Sequence, residues 1–237
     1  MILNNIDPVE IYQLRIVLKD VSPIIWRRIL VKDSTSIEDL HRILQVILEW
    51  DDDHLNKFVI YGKDYGVYHD GGISFSGDPS TIHLKDFQLR LNEKFTYEYN
   101  FNDGWKFEIR LEKKCPFNAK LKYPYCLGGG RSAPPEDCGG PLAFLELDRH
   151  YSVFQIQDEL LGLVKRRAKE EGVKAPALED YDDDDIFEDC DYDPDNFEEG
   201  IDALRYWHHR NKFSRRKINH LLQTEFSMNK EGMSHAS

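Results

Sequence analysis

One alternating stretch with a tight turn in its middle constrains the fold of this chain most. Residues 95–101, FTYEYNF, alternate apolar and polar side chains, and residues 105–111, WKFEIRL, do so again. Asn102-Asp103-Gly104 stands between them, and these residue types tolerate the positive φ angles that tight hairpin turns require. The pattern predicts two adjacent antiparallel strands joined by this turn.

The rest of the chain mixes strand and helix patterns. Strand-type runs and helix-type runs do not alternate regularly, so they favour an α+β fold over a doubly wound one. We expect a single domain with a mainly antiparallel sheet, a central hairpin, packed helices and a C-terminal helical extension. The further predicted strands are 12–19, 24–31 and 55–61, and the predicted helices are 37–50, 141–169 with room for a break near 150–152, 197–207 and 214–226.

Composition places the chain among soluble proteins. It has 237 residues, of which 41% are hydrophobic and 12% aromatic, enough to build a sizeable core. No run of eighteen apolar residues is present, and the N-terminal residues lack a secretory pattern. We therefore predict a cytoplasmic protein without a membrane partner. Its 4 cysteines are too few for a disulfide-stapled domain and are expected to be thiols.

The negative charge is concentrated in one segment. Of the 43 acidic residues, 11 lie in residues 179–195, which leaves 32 acids against 31 bases elsewhere. The segment predicts an acidic connector between a core domain, residues 1–178, and a helical extension with a disordered tail, residues 196–237. A calcium loop in it is disfavoured, because Asp185 stands where such a loop needs glycine. The balance also argues against a nucleic-acid partner. The basic strip 205–217 is expected to be solvated or to contact its own chain, and self-association is left open.

The most unusual segment is residues 123–141, YPYCLGGGRSAPPEDCGGP. Its proline and glycine content is typical of an ordered loop rather than of a helix or strand. In that loop Glu136 and Asp137 would accept backbone N–H bonds. The alternative gives one of these carboxylates a role as a general acid–base or as a ligand.

A metal site in this loop is the weaker hypothesis. Cys126 and Cys138 are the candidate ligands, but eleven residues separate them, and the closely spaced cysteine pair typical of structural zinc is missing. No cofactor is predicted, and zinc remains an alternative.

Four other side chains complete the candidate cluster. His54 follows three aspartates that could hold its tautomer, although a hydrogen bond from its ring to the backbone is favoured. Asp103 is expected to close an Asx-type turn, and Trp105 to pack. Arg131 ends a GGGR run that gives only a weak phosphate-binding signal. The G-x-S-x-G motif of a hydrolase is missing, and His41 is expected to be structural.

Several segments together resemble the pRiA-plasmid ORF-three-like family, whose members are also called transposon-passenger TnpR-like proteins. The resemblance covers roughly residues 10–205. It rests on these segments in the family's order: YQLRIVLKDVSPIIWRRILV, IEDLHRILQVILEWDDDHLNKFVIYGKDYG, FTYEYNFNDGWKFEIRLEK, YPYCLGGGRSAPPEDCGGP and DYDPDNF. The resemblance implies a compact α+β domain without an established activity. Ala133 stands where many relatives carry a further cysteine, which weakens a metal site built from the loop.

These observations leave three functional hypotheses. The first is a non-enzymatic binding or accessory module of unknown ligand, associated with mobile elements through its relatives. The second is a metal-dependent or acid–base enzyme. It would use the side chains of His54, Asp103, Glu136, Asp137, Cys126 and Cys138. The third, a DNA-associated accessory protein, is disfavoured by charge.

Overall fold

The computed structural model describes residues 9–66, 75–170, 172 and 197–232. In this part of the chain seven strands form one antiparallel sheet in the order β4-β3-β5-β6-β1-β2-β7, accompanied by five helices. The predicted α+β class is therefore confirmed. The strands are β1 Glu10–Leu18, β2 Trp26–Lys32, β3 Asn56–Ile60, β4 Lys63–Tyr65, β5 Lys94–Tyr99, β6 Trp105–Pro116 and β7 Tyr125–Gly130; the helices are α1 Ile37–Leu48, α2 Gly140–His150, α3 Val153–Glu170, α4 Phe197–His209 and α5 Arg215–Gly232.

The predicted hairpin is the pair β5–β6 at the middle of the sheet. Tyr99 pairs with Trp105 where the two strands meet the turn, and the pairing continues to Lys94 opposite Arg110. The alternate side chains of both strands are buried on one face of the sheet. Because a large apolar side chain stabilises the fold by about 1.5–3 kcal/mol when fully buried, this alternation fixes which face of the hairpin meets the core.

Helix α1 covers part of the buried face and has well-defined ends. Ser36 caps its N-terminus by accepting a hydrogen bond from the Asp39 N–H at 3.0 Å, as its hydroxyl predicts. The helix ends at Glu49, which adopts a left-handed conformation with a φ of 60°. Trp50 then turns into the core, so the segment that follows the helix is held against the sheet.

The prediction that residues 123–141 contain no strand is wrong for their first half. Residues 125–130 form the edge strand β7, paired with β2. Glycine suits this strand because neighbouring aromatic rings lie against its backbone. A Cβ atom at Gly130 would stand 2.6 Å from Trp26 Nε1, and one at Gly129 would stand 2.7 Å from the Phe213 ring. The proline and glycine content of this segment suggests a loop. In β7, however, glycine is needed because aromatic side chains distant in sequence fill the space that a larger residue would occupy.

The outer edge of β7 is covered by a side chain of α5. The Asn219 amide accepts from the Cys126 N–H at 2.8 Å and donates to the Cys126 carbonyl at 2.9 Å. This pair of bonds replaces those that another strand would make, so the exposed edge is closed to further strand pairing at this point.

The chain divides into two compact units, residues 1–144 with 212–237, and residues 145–211. In the second unit α3 packs on α4, and Tyr151 stacks on Trp207 with ring centroids 4.8 Å apart. The predicted break between α2 and α3 is present at residues 151–152. The predicted connector 179–195 and the tail after 232 lie outside the described residues, and the predicted domain boundaries stay a prediction.

Candidate functional site

Three segments of the first unit meet at the turn end of the β5–β6 hairpin. They are the residues after α1, 51–56, the hairpin turn, 100–104, and the proline- and glycine-rich loop 134–140, which we call the brace loop. The brace loop supplies carbonyls, carboxylates and one N–H group. Its hydrogen-bond donors come from the other two segments and from the residues that flank them, which are Trp50, Tyr99 and Trp105. The candidate site is built where these segments are joined.

Glu136 is the centre of this junction. Its carboxylate accepts hydrogen bonds from the Tyr99 hydroxyl and, at 2.8 Å, from the Asp51 N–H. The Glu136 side chain is only 10% exposed, and its bond from Tyr99 is partly buried, whereas its bond from the Asp51 N–H lies at the exposed surface. Burial and the bond to Glu136 raise the pKa of Tyr99 well above its usual value, which keeps its hydroxyl protonated and donating.

His54 lies beside both carboxylates of the brace loop. Its Nε2 is 2.6 Å from Asp137 Oδ1 and 3.8 Å from Glu136 Oε1. Asn100 also donates to the same Asp137 oxygen, at 3.3 Å. The His54 ring thus contacts a carboxylate of the brace loop rather than the main-chain group that its sequence context favours. The neighbouring sequence does not reveal this partner, because Asp137 lies more than eighty residues away along the chain.

Asp103 joins the hairpin turn to the brace loop. Its carboxylate accepts from the Gly139 N–H at 3.1 Å, whereas Asn100 supplies the side chain that accepts from the Asp103 N–H within the turn. The Asx-type bond predicted for Asp103 is therefore made by Asn100. The backbone comes so close here that a Cβ atom at Gly140 would stand 2.2 Å from the Asp103 carbonyl oxygen.

Two buried indoles hold the main chain of the brace loop. Trp105 Nε1 donates to the Glu136 carbonyl at 2.9 Å, and Trp50 Nε1 donates to the Pro134 carbonyl at 2.8 Å. Trp50 also stacks on Tyr99 with a centroid distance of 5.1 Å. Trp105 thus packs as predicted and in addition satisfies a carbonyl of the loop.

The remaining candidates from the sequence are Arg131, Cys126 and Cys138. The Arg131 guanidinium donates to the Pro23 carbonyl at 3.0 Å and lies over the Phe144 ring. Burial raises the pKa of Cys126, and burial together with Asp103 raises that of Cys138 to about 12, so both are thiols at neutral pH. Among the described residues, no group of three or more His, Cys, Asp or Glu side chains is placed to hold a metal ion.

Sequence reasoning missed a second polar network behind the first. His41 is buried on α1, with Nδ1 2.7 Å from the Tyr97 hydroxyl and Nε2 2.7 Å from Asp52 Oδ1. Gln45, one turn further along α1, donates to the same hydroxyl at 2.8 Å. The available signal was the spacing, because residues 41 and 45 are four apart on the buried side of an amphipathic helix.

An open cleft of about 380 Å³ borders both networks. It is lined by α1 on one side and by residues 52–56 on the other. Its carboxylates are those of Glu38, Asp52 and Asp53, and its one guanidinium, Arg42, is paired with Glu225 at 2.6 Å. Burial lowers the pKa of His41 despite the opposing charge of Asp52, which favours the neutral form of the ring.

The fold and site define an α+β protein whose central hairpin is braced by a proline- and glycine-rich loop. The model of the plasmid pRiA4b ORF-3-like protein family matches residues 10–198, and the chain belongs to this family. It is 30% identical over 142 residues to the uncharacterized protein y4hQ of Sinorhizobium fredii, covering 58% of this chain and 71% of the relative.

A solved structure resembles the chain as well. It is the crystal structure of a protein of unknown function, MM3350, from Methanosarcina mazei Go1. The match has a TM-score of 0.52 and 30% sequence identity, and it covers 69% of this chain and 87% of that protein. No helix in the described part of the chain has the length and apolar character needed to cross a membrane.

Proposed function

We propose that this member of the family is a non-enzymatic binding or accessory module. One observation carries the proposal: the side chains that would serve as catalytic groups already join three chain segments to one another. Glu136 holds the residues after α1 and the end of β5, and Asp103 holds the brace loop. A general acid or base must instead direct its proton or lone pair at a substrate.

The geometry gives these groups a mechanical role. The Glu136 carboxylate and carbonyl accept hydrogen bonds from Tyr99 and Trp105, the last residue pair of the hairpin, and so tie the hairpin to the brace loop. Bonds to a charged, shielded carboxylate stabilise a fold by about 1.5–3 kcal/mol each. The junction therefore keeps the wall of the cleft in place, and the cleft is the concave surface that such a module offers to a ligand.

An acid–base enzyme is the second candidate, favoured by the position of His54. Its ring nitrogen touches Asp137, whose side chain is 71% exposed, so a proton could pass between the ring and an entering molecule. The link to mobile elements and the cytoplasmic location stay predictions. Self-association stays open, and a DNA-associated role stays a disfavoured alternative. The plasmid origin in the family description supports the link to mobile elements.

Elemental analysis combined with a stability series tests the module proposal. We expect purified protein to contain no stoichiometric transition metal. Glu136→Gln and Asp103→Ala should each lower the free energy of unfolding, by about 2 and 1 kcal/mol, since each loses a hydrogen bond made by a charged group. Asp51→Asn, a matched change of charge that leaves the Asp51 N–H in place, should have little effect.

The contrary results are clear. One equivalent of zinc per chain would overturn the module proposal. Unchanged unfolding free energies for both Glu136→Gln and Asp103→Ala would do the same, because these groups would then be free for chemistry rather than engaged in the fold.

A further inference from the structure

The face of the sheet that is turned away from the core carries a row of positive charges across four neighbouring strands. Arg15 on β1 pairs directly with Arg28 on β2 and with Arg110 on β6, and Arg110 pairs with Lys94 on β5. The residues that follow them in each strand are buried, so these four side chains point away from the core. Directly paired residues of antiparallel strands have Cα atoms about 5 Å apart, and like charges in such pairs destabilise a sheet. The row therefore needs nearby negative charges.

Two glutamates neutralise part of this row. Glu112 forms a bidentate ion pair with Arg28, with distances of 2.6 and 2.9 Å. Glu108 lies 2.8 Å from Lys94 and 3.3 Å from Arg110. Hydrogen bonds from Lys94 and Arg28 lower the pKa of Glu108 and Glu112, so both carboxylates are ionised at neutral pH. Two carboxylates thus face four cationic groups, and the row keeps an excess of two positive charges.

Arg15, between its two arginine neighbours, is the cation of the row that has no acceptor. Its Nε is shielded from water without a hydrogen-bond partner, and the guanidinium makes neither a hydrogen bond nor an ion pair with the described residues. The pKa of Glu112 is lowered first by Arg28 and then by the nearby charge of Arg15, yet both Glu112 oxygens are bonded to Arg28. A donor that is shielded from water and unpaired within the protein indicates a position for an acceptor that a ligand supplies.

The Trp26 indole holds this guanidinium in place. Arg15 Cζ lies 5.8 Å from the centroid of the Trp26 ring, and Arg28 Cζ lies 5.3 Å from it. Contact with an aromatic ring occupies the flat face of a guanidinium and leaves N–H groups on its edge free to donate. Because Arg15 has already lost water at Nε, an anion that binds beside it displaces less water than at a fully hydrated surface arginine.

We infer that this row binds a phosphate group, with Arg15 as the principal donor and Arg110 and Lys94 beside it. A phosphate dianion matches the excess of two positive charges, and guanidinium N–H groups match its oxygens. The chain has a formal net charge of −12, so general electrostatic attraction does not favour an anion, and binding must come from this local arrangement. The row lies on the face opposite the buried one, so the inference goes beyond the proposed function and does not depend on the cleft.

The test is a phosphate titration of the full chain at about pH 7.5, where phosphate is mainly a dianion, followed by amide chemical shifts at constant ionic strength. The probes are inorganic phosphate and phenyl phosphate, with acetate as the singly charged control. We expect saturable shifts at residues 13–17 and 26–30, with a dissociation constant of about 1 mM for inorganic phosphate and binding of acetate at least about tenfold weaker. Tighter binding of phenyl phosphate would identify a phosphate ester as the source. Equal or tighter binding of inorganic phosphate would identify the free ion.

Three variants localise the binding. Arg15→Gln should weaken it about tenfold or more, because the principal donor and its charge are lost. Arg15→Lys keeps the charge but not the planar fork of donors, and should weaken it about fivefold. Arg216→Gln is the matched control, since it removes the same charge from an exposed position on α5 outside the row. It should change the dissociation constant less than about twofold.

Thermal unfolding separates binding from a structural role of Arg15. The guanidinium is paired with two like charges across the strands, so Arg15→Gln should leave the unfolding midpoint unchanged or raise it. About 10 mM phosphate should raise the midpoint of the unaltered protein by about 3 °C, compared with chloride at the same ionic strength. The same addition should raise the midpoint of Arg15→Gln by about 1 °C or less.

Three results would overturn the inference. The first is a lack of saturable binding of either phosphate probe, and the second is binding of acetate as tight as that of phosphate. The third is equal weakening by Arg15→Gln and Arg216→Gln, which would show only a diffuse effect of charge. If Arg15→Gln does not fold, the comparison of Arg15→Lys with Arg216→Gln decides in its place. The stability series on Glu136 and Asp103 tests the proposed function separately, because neither residue belongs to the row.

Discussion

Strand β7 and the brace loop are neighbours in sequence and share their unusual composition, yet they use it differently. In β7 the glycines leave room for large side chains, since Gly130 lies under the Trp26 indole. In the brace loop they allow the backbone to turn, since Gly140 has a φ of 82° directly against the hairpin turn. A glycine-rich run therefore indicates a constraint on space or on backbone angle, and composition alone does not distinguish them.

The two regions also differ in what holds them. The main chain of β7 is paired by β2 on one side and by the Asn219 amide on the other. The brace loop is held by side chains, among them Tyr99, Trp50 and Trp105. We therefore expect substitutions in the brace loop to act through specific polar bonds and close backbone contacts, and substitutions in β7 to act through packing.

The largest effect is expected for Gly140→Ala. The new Cβ would stand 2.2 Å from a backbone oxygen that cannot move without opening the hairpin turn, and the residue would keep a positive φ. We expect a loss of at least about 3 kcal/mol in the free energy of unfolding, measured by urea denaturation. Gly104→Ala is the control, since its φ is 72° but no atom lies within 4 Å of the added Cβ, and it should cost about 1 kcal/mol. Equal losses would show that backbone angle alone matters in the brace loop.

A smaller loss is expected for Gly130→Ala in β7. The added Cβ meets the side chain of Trp26, at 2.6 Å from Nε1, and a side chain at the sheet surface can move aside. We expect a loss of about 1.5 kcal/mol. The fluorescence of Trp26 should change as well. The contribution of Trp26 is obtained by subtracting the emission of a Trp26→Phe variant, with and without Gly130→Ala. A loss as large as that of Gly140→Ala would remove the distinction between the two regions.

The smallest effect at neutral pH is expected for the Cys138 thiol, whose contribution to stability changes only when the pH rises above about 9. The pKa of the Cys138 thiol is raised from 9.0 to about 12, so the folded state retains a proton that the unfolded state loses. Its contribution is fully present below about pH 9 and is lost as the pH rises towards 12, which means that stability falls with rising pH in this window. Cys138→Ala should flatten this decline. Cys126→Ala, in β7, is the comparison, because burial raises that pKa too. An unchanged slope for Cys138→Ala would contradict the burial of the thiol in the brace loop.

The sequence predicted those parts of the fold that depend on local patterns. The β5–β6 hairpin follows from period-two alternation and a turn that tolerates positive φ, and the start of α1 follows from the Ser36 hydroxyl. Strand β7 could not be predicted in this way. Its glycines are explained by Trp26 and Phe213, and both of these lie more than eighty residues away in sequence.

The candidate site was predictable in its residue types but not in its partners. Carboxylates in a proline- and glycine-rich loop suggested bonds to backbone N–H groups, and Glu136 makes one of these, from Asp51. The bond between His54 and Asp137 joins positions that only the folded sheet brings together. His41 was expected to be structural, but its links to Asp52 and Tyr97, and therefore its place at the cleft, depend on the sheet beneath the helix.

The central claim is that the brace loop holds the end of the hairpin through Glu136, and a double-mutant cycle between Tyr99→Phe and Glu136→Gln tests it most directly. Urea denaturation would give the unfolding free energies of the four proteins. We predict a coupling energy of about 1 kcal/mol, because Tyr99→Phe removes the donor and Glu136→Gln leaves only a neutral amide oxygen in place of the charged acceptor. A coupling energy near zero would show that the carboxylate does not hold the hairpin and would contradict the account.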